Sequence, residues 1–99
     1  MSDQFRGKIV WITGASSGIG EALAKSFAAE GAHIILSGRR TEALDMVAAD
    51  IATDTLVLPF ETTDYDVLPA RIKEACGWKG KIDILVNNAG ISQRSLALD

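Results

Sequence analysis

The feature that most constrains the fold is a glycine-rich turn that connects an apolar run to a helical pattern. Residues 9–12 read IVWI, residues 13–20 read TGASSGIG, and apolar residues then recur at helical spacing as far as Ala28. A strand, a glycine-rich turn and a helix in this order make a phosphate cradle, because glycines admit the anion and the first N–H groups of the helix point towards it. The candidate phosphate-binding residues are Gly14, Ser16, Ser17, Gly18, Ile19 and Gly20.

The spacing of these glycines leaves a second interpretation open. It reads G-x-x-x-G-x-G rather than the dinucleotide fingerprint G-x-G-x-x-G, and glycines after a strand often only turn the chain. The flanking strand and helix are those that a phosphate site requires, and the hydroxyls of Ser16 and Ser17 can cap the helix or donate to the anion. We therefore favour phosphate binding.

The rest of the chain alternates short apolar runs with segments of helical spacing. The apolar runs are residues 9–12, 34–36, 56–58 and 82–86, and the helical segments are residues 19–30, 41–51 and about 66–80. Runs that are continuous rather than alternating are typical of strands covered on both faces. Alternation of strand and helix predicts a parallel sheet. We expect an α/β fold, a doubly wound parallel sheet of four strands and three helices, in one partial domain over residues 1–99.

Individual residues mark the ends of the second and third helices. Thr41 is a favourable N-cap and is expected to start the second helix. The third helix is expected to begin at about Asp66, which leaves Pro69 in the first turn, where proline is tolerated. It is expected to end near Gly77 or Gly80.

Composition and charge exclude several function classes. The 99 residues carry a net charge of −3, and their basic residues are dispersed except for Arg39 and Arg40, so the basic patch of a nucleic-acid-binding protein is missing. No apolar run approaches the ~20 residues of a membrane span, and no apolar signal core follows Met1. The single Cys76 excludes an internal disulfide and is expected to pack on a helix face in a reducing compartment. We expect a cytoplasmic protein without a metal, nucleic-acid or membrane partner.

The end of the second apolar run predicts which cofactor a dinucleotide site would take. Residues 37–40 read SGRR. At this place in a dinucleotide-binding βαβ unit, an acidic residue binds the ribose 2′-hydroxyl of NAD, whereas arginine accommodates the 2′-phosphate of NADP. No carboxylate occurs here, and the guanidinium of Arg39 or Arg40 can pair bidentately with phosphate oxygens. NADP is therefore favoured over NAD. The alternative is that both arginines are solvated residues ahead of a helix.

Polar residues also follow the third and fourth apolar runs. Residues 60–64 read FETTD, and residues 87–90 read NNAG. The carboxyl ends of parallel strands meet at one edge of a sheet, where ligands bind, so the four ends together define one groove. Each end alone is weak evidence, since Asn and Gly are also an ordinary way to leave a strand.

In residues 13–20 and 87–90, the chain resembles the amino-terminal part of a short-chain dehydrogenase/reductase. The strands and helices between these two motifs have a similar spacing, and the resemblance covers about residues 7–92. It implies a Rossmann-type fold that binds NAD(P), with the pyrophosphate over residues 14–20.

The resemblance also implies roles for residues at the other strand ends. The adenine contact falls on Glu61 and Thr62, which differ from the family's usual Asp-Val pair. Family members that prefer NAD carry Asp at the position of Gly38, and Arg39 is similar to the basic residue of members that prefer NADP. Asn87 is expected to tie the central strands together. The residues expected along the cofactor's ribose and nicotinamide are Asn88, Ala89 and Gly90.

The family's catalytic Ser, Tyr and Lys have no match in this chain. The only tyrosine, Tyr65, has Pro69 four residues later, where the Tyr-x-x-x-Lys pattern requires lysine. The lone His33 is expected at the opposite edge of the sheet as a structural residue. Since the missing tyrosine is the general acid or base at the substrate oxygen, we expect no catalytic residue among these 99 residues. They would supply cofactor binding to a longer reductase and be inactive alone.

The leading hypothesis is an oxidoreductase that transfers a hydride between NADP(H) and a carbonyl or alcohol substrate. The resemblance implies that the full-length protein forms homo-oligomers. Two alternatives stay open, a nucleotide-binding half-domain without catalysis and an interaction module that uses the open edge of its four-stranded sheet.

Overall fold

The computed structural model describes residues 4–15, 18–60 and 66–87. Within these residues, four strands alternate with three helices in the order β1 (Ile9–Thr13), α1 (Gly18–Ala29), β2 (His33–Ser37), α2 (Thr41–Ala49), β3 (Thr55–Val57), α3 (Leu68–Lys79) and β4 (Ile84–Asn87). The strands pair in parallel in the order β3-β2-β1-β4. The expected Rossmann-type α/β fold is confirmed.

Strand β1 lies in the middle of the sheet, and all five of its residues are buried. It pairs with β2 up to the Thr13–Ser37 position and with β4 up to the Thr13–Asn87 position. The chain builds the sheet outward from β1 to β3 and then returns to place β4 on the other side of β1. The carboxyl ends of β1 and β4 therefore border the point where the strand order reverses, which is where open parallel sheets bind ligands.

The sheet is covered by helices on both faces. One face packs against α1 and α2, and the helix residues buried there are Ala24, Leu44 and Val47. The opposite face packs against α3, where Ala75 is buried against a cluster that includes Trp11 and Ile35. Side chains of a strand alternate between the two faces, so the continuous apolar runs supply both clusters at once. The predicted doubly wound arrangement is therefore correct.

The start of α2 differs slightly from the prediction. The N-cap is Arg40, and Thr41 is the first helical residue rather than the cap. The helix ends at Ala49 instead of continuing to Ile51. The reason is a tightening of the last turn, in which the Asp50 N–H donates to the Val47 carbonyl oxygen, a three-residue span that closes the helix.

The start of α3 is also shifted, by a short distance. Val67 is the N-cap, not Asp66. Pro69 falls in the first turn as predicted, where its missing N–H has no intrahelical acceptor to lose. Of the two predicted ends, the structure selects Gly80, which follows the helix in the left-handed conformation.

The surface of α3 corrects the prediction for Cys76. This residue is exposed, so the expected packing position is wrong. The helix residue that is buried on the sheet is Ala75. Successive residues on a helix point about 100° apart, since a turn takes 3.6 residues, so Cys76 points away from the sheet.

In the part of the chain that the structure describes, no helix is long and apolar enough to cross a membrane.

Candidate cofactor-binding site

The glycine-rich turn and the end of β2 meet at the carboxyl edge of the sheet. Thr13 and Ser37, the last residues of β1 and β2, are paired in the sheet register. Immediately after the pair, the Ala15 N–H donates to the Ser37 carbonyl oxygen at 3.0 Å. The turn after β1 is thus fastened to the end of β2, and two of the predicted binding segments lie side by side.

The three glycines of the turn have different structural roles. Gly14 has a φ of 64°, a left-handed conformation that favours glycine. A Cβ on Gly20 would overlap the Gly14 carbonyl oxygen and lie 2.9 Å from Ala15 Cα, so glycine lets α1 pack directly on the turn. A Cβ on Gly18 would meet no described atom within 4 Å. Gly14 and Gly20 therefore shape the cradle, while no described atom occupies the outer side of Gly18.

This arrangement fits the diphosphate of a dinucleotide. Helix α1 begins at Gly18, so the positive end of its dipole lies at the turn. The space beside Gly18, which no described atom occupies, would let an anion approach the backbone closely. Ile19, next to it, is 68% exposed, so its apolar side chain is available for contact with an apolar part of a ligand.

A carboxylate in the first turn of α1 is neutralised by a neighbouring lysine. Lys25 Nζ lies 2.7 Å from Glu21 Oε2 and 3.3 Å from Asp50 Oδ2. The hydrogen bond to Glu21, with a smaller contribution from Asp50, raises the pKa of Lys25 above its ordinary value. The lysine therefore offsets negative charge that would otherwise oppose an anion at the start of the helix.

The end of β2 places two arginines beside this cradle. Gly38 is buried, and Arg39 and Arg40 are exposed directly after it. The Gly38 carbonyl oxygen accepts a hydrogen bond of 2.9 Å from the Phe60 N–H, which fastens the chain leaving β3 to the same edge. Arg39 and Arg40 therefore follow a strand end that is hydrogen-bonded both to the turn after β1 and to the chain after β3.

The other side of β1 is tied to β4 at the same edge. The Thr13 hydroxyl oxygen lies 3.0 Å from Asn87 Oδ1 and 3.3 Å from the Val86 carbonyl oxygen, and it is the donor in both contacts. This is the tie between central strands that the resemblance implies for Asn87. Seven of the predicted cofactor contacts lie outside the described residues, namely Ser16, Ser17, Glu61, Thr62, Asn88, Ala89 and Gly90.

His33 lies at the opposite, amino edge of the sheet, as expected of a structural residue. It is the first residue of β2, and its Nδ1 accepts a hydrogen bond of 3.3 Å from the Asp54 N–H. The Asp54 carboxylate in turn accepts a bond of 2.8 Å from Lys79, which lowers the pKa of Asp54. These contacts join β2, the start of β3 and the end of α3 away from the glycine-rich turn.

The structure also brings Trp11 to the site region, where its contacts with Ser37 and Phe60 were not predicted from the sequence. The Trp11 indole N–H donates to the Ser37 hydroxyl oxygen at 2.8 Å, and both side chains are buried. The Trp11 ring lies 6.2 Å from the ring of Phe60, centroid to centroid. The available signal was a tryptophan inside an otherwise aliphatic strand, since a buried indole N–H requires an acceptor.

Known proteins match this chain in sequence and in structure. A family model for short chain dehydrogenase matches residues 8–99. The human protein "Dehydrogenase/reductase SDR family member 7" is 45% identical over 98 residues, which are 92% of this chain and 29% of that protein.

Two solved structures show similar folds. The 3-ketoacyl-(acyl-carrier-protein) reductase from Brucella melitensis, complexed with NADH, has a TM-score of 0.77 and 34% identity over 83% of this chain and 34% of its own. The L-sorbose reductase from Gluconobacter frateurii, complexed with NADPH and L-sorbose, has a TM-score of 0.78 and 37% identity over 92% of this chain and 36% of its own. The chain thus spans about a third of the length of the proteins that it matches.

Proposed function

The chain belongs to the short-chain dehydrogenase family, and from this premise we propose that it binds NADP(H) for an oxidoreductase that transfers a hydride between this cofactor and a carbonyl or alcohol substrate. The observation that carries the proposal is the juxtaposition of the glycine-rich turn with Arg39 and Arg40, through the Ala15–Ser37 hydrogen bond. Because the chain spans 29% of its human relative, the activity is proposed for the complete gene product.

The pyrophosphate is assigned to the turn between β1 and α1. Gly14 and Gly20 give the turn its shape, and the open side of Gly18 admits the anion. The backbone N–H groups of the first helical turn and the positive end of the α1 dipole favour negative charge there. Ser16, Ser17 and Ile19 complete this part of the proposed site.

The end of β2 supports a preference for NADP over NAD. Family membership leaves the cofactor open, because one similar structure is complexed with NADH and another with NADPH. Here Gly38 offers no carboxylate to the ribose 2′-hydroxyl, and Arg39 and Arg40 follow it on the exposed side. A guanidinium fork matches two phosphate oxygens, whereas a 2′-hydroxyl gains little from it.

The cofactor would give the hydride to a carbonyl or accept it from an alcohol, and the residues of this chain would bind and orient the cofactor. The proposed contacts of the adenosine half are Glu61 and Thr62, and those of the nicotinamide half are Asn88, Ala89 and Gly90. No residue of the chain is assigned a proton transfer at the substrate oxygen, so the Ser-Tyr-Lys set is expected elsewhere in the gene product, and the isolated 99-residue polypeptide is expected to be inactive. Cytoplasmic location and homo-oligomer formation belong to the same proposal, and the exposed thiol of Cys76 suits a reducing compartment.

The cofactor assignment is tested by changing Arg39→Ala in the complete gene product. Loss of a charged contact to the 2′-phosphate should weaken NADP+ binding by about tenfold or more, and NAD+ binding by less than about twofold. Dissociation constants from titration calorimetry measure both. Arg6→Ala is the matched control, because it removes the same charge from the turn before β1, at the amino edge.

The reverse change is Gly38→Asp, which should favour NAD+ by repelling the 2′-phosphate. Equal weakening of both cofactors by Arg39→Ala would show that Arg39 does not select between them. Absence of NADP(H)- or NAD(H)-dependent turnover over a broad panel of carbonyls and alcohols would contradict the oxidoreductase assignment.

A second candidate is an interaction module, and one observation favours it. Leu85 of β4 is 58% exposed, and within the described residues β4 has a neighbouring strand on one side only. An uncovered strand with an apolar side chain is a surface for pairing with another chain. The burial of Leu85 in the complete protein separates this candidate from the first.

A further inference from the structure

The described residues contain two buried polar side chains, Thr13 and Ser37, and both are the last residues of their strands. Both strands end at the carboxyl edge, beside the glycine-rich turn. A buried polar group costs stability unless it is hydrogen-bonded, and a satisfied pair specifies one arrangement of the groups that carry it. Thr13 is bonded to the end of β4, so its role is already explained. Ser37 is bonded to Trp11.

The Trp11–Ser37 pair lies in an apolar cluster between the sheet and α3. The other buried members of this cluster are Ile9, Ile35, Leu58, Phe60 and Ala75. In such surroundings, an indole N–H without its acceptor is an unsatisfied buried donor. The bond of 2.8 Å runs diagonally from the middle of β1 to the end of β2 and constrains the direction in which β2 ends.

The backbone of Ser37 and Gly38 is hydrogen-bonded to two neighbouring segments at this edge. Its carbonyl oxygen accepts the Ala15 N–H of the turn, and the next residue, Gly38, accepts the Phe60 N–H. The Trp11 ring supports Phe60 from the side, with the two ring planes inclined at 56°. The buried Trp11 side chain thus contacts both Ser37, two residues before Arg39, and Phe60, which directly precedes Glu61.

We propose that Trp11 is a positioning residue for cofactor selection, which acts through Ser37 to place Arg39 and through Phe60 to place the chain that leaves β3. The proposal rests on the assignment of Arg39 to the 2′-phosphate. It adds that NADP selectivity depends on a side chain beneath the sheet edge that does not touch the cofactor.

The test compares four variants of the complete gene product: Trp11→Phe, Ser37→Ala, the double variant, and Trp78→Phe as the control. Trp78 belongs to the same apolar cluster but lies at the end of α3, next to the Lys79–Asp54 contact at the amino edge. The control therefore makes the same chemical change in the same cluster, away from the proposed site. Dissociation constants for NADPH and NADH are measured from nicotinamide fluorescence, which does not depend on the tryptophans.

Trp11→Phe and Ser37→Ala should each weaken NADPH binding by about three- to tenfold, as expected if misplacement of Arg39 costs one hydrogen bond to the 2′-phosphate, and NADH binding by less than about twofold. The double variant should resemble the single variants, because both remove the same contact. Trp78→Phe should leave the ratio of the two constants unchanged. If Trp11→Phe does not fold, Ser37→Ala carries the test alone, since it keeps the tryptophan ring.

The outcomes distinguish this inference from the proposed function. An unchanged NADPH to NADH ratio in Ser37→Ala, with a wild-type protein that prefers NADPH, overturns the inference and leaves the function standing. Equal weakening of both cofactors assigns Trp11 a purely structural role and also overturns it. A wild-type protein that binds neither cofactor, or prefers NADH, overturns the NADP assignment and the inference with it.

Discussion

At Gly20, the absence of a methyl group determines how closely α1 packs on the turn that precedes it. The atoms that a Cβ would meet are the Gly14 carbonyl oxygen and Ala15 Cα, which belong to the backbone and cannot rotate away. Gly20→Ala should therefore shift the turn and lower the free energy of unfolding by about 1–3 kcal/mol, as overpacking in a core does. Chemical denaturation of the complete gene product without cofactor measures this difference.

Gly18→Ala is the matched control at the same turn. Its added Cβ would meet no described atom within 4 Å, and alanine favours the helix. The free energy of unfolding of the cofactor-free protein should therefore be unchanged or higher by up to about 1 kcal/mol. Cofactor affinity should nevertheless fall, because the methyl group occupies the space proposed for the pyrophosphate. A Gly18→Ala variant that binds NADPH as tightly as the wild type would remove Gly18 from the site.

At the scale of elements, Asp83 joins the start of β4 to β1. Its Oδ2 accepts the Ile9 N–H at 2.8 Å and lies 3.2 Å from Lys81 Nζ. The bond from Ile9, then Lys81 and more weakly Lys8, holds the pKa of Asp83 below its ordinary 3.8. The pKa of Asp83 is lower in the folded state than in the unfolded state. The contribution of this contact to stability is therefore complete above the unfolded-state pKa and is lost as the pH falls through the folded-state pKa.

The prediction for this contact uses Asp83→Asn, which keeps an acceptor oxygen and removes the charge. The variant should be less stable than the wild type at pH 7. This difference in stability should become smaller as the pH falls below about 4, where the wild-type carboxyl becomes protonated. Thermal unfolding of both proteins over a pH series measures the difference. Asp45→Asn, at an exposed carboxylate of α2, is the control. A difference that stays constant down to the lowest pH at which both fold would contradict the assignment.

The same elements show which features the sequence could predict. Continuous apolar runs identified all four strands, because burial on both faces removes polar positions. The alternation of strand and helix then predicted that Gly14 and Arg39 lie at one edge, since parallel strands share their direction. Ile82 and Asp83 were wrongly included in the last strand, which begins at Ile84, because an apolar residue before Asp83 looks the same in sequence whether or not it is paired. The Trp11–Ser37 bond joins residues 26 apart along the chain and depends on strand register, which periodicity alone does not reveal.

At the scale of the whole molecule, the described residues cover the two faces of the sheet unequally beside β4. Leu85 is paired in register with the buried Trp11, yet it is 58% exposed. The relatives are longer than this chain, which spans 29% of the human protein and 36% of L-sorbose reductase. We expect the remaining part of the complete gene product to cover the α3 face of β4 and to bury Leu85.

Leu85→Ala should therefore lower the free energy of unfolding of the complete gene product by about 2–5 kcal/mol, as truncation of a core leucine does. Met46→Ala is the control, because Met46 is 72% exposed on α2, and truncation at an exposed site usually changes stability by less than about 0.5 kcal/mol. Chemical denaturation at a protein concentration where both variants have the same oligomeric state gives the comparison. If Leu85→Ala is as mild as Met46→Ala, the apolar face of β4 is open in the complete protein. That result would favour the interaction module, which uses an uncovered β4, over the oxidoreductase.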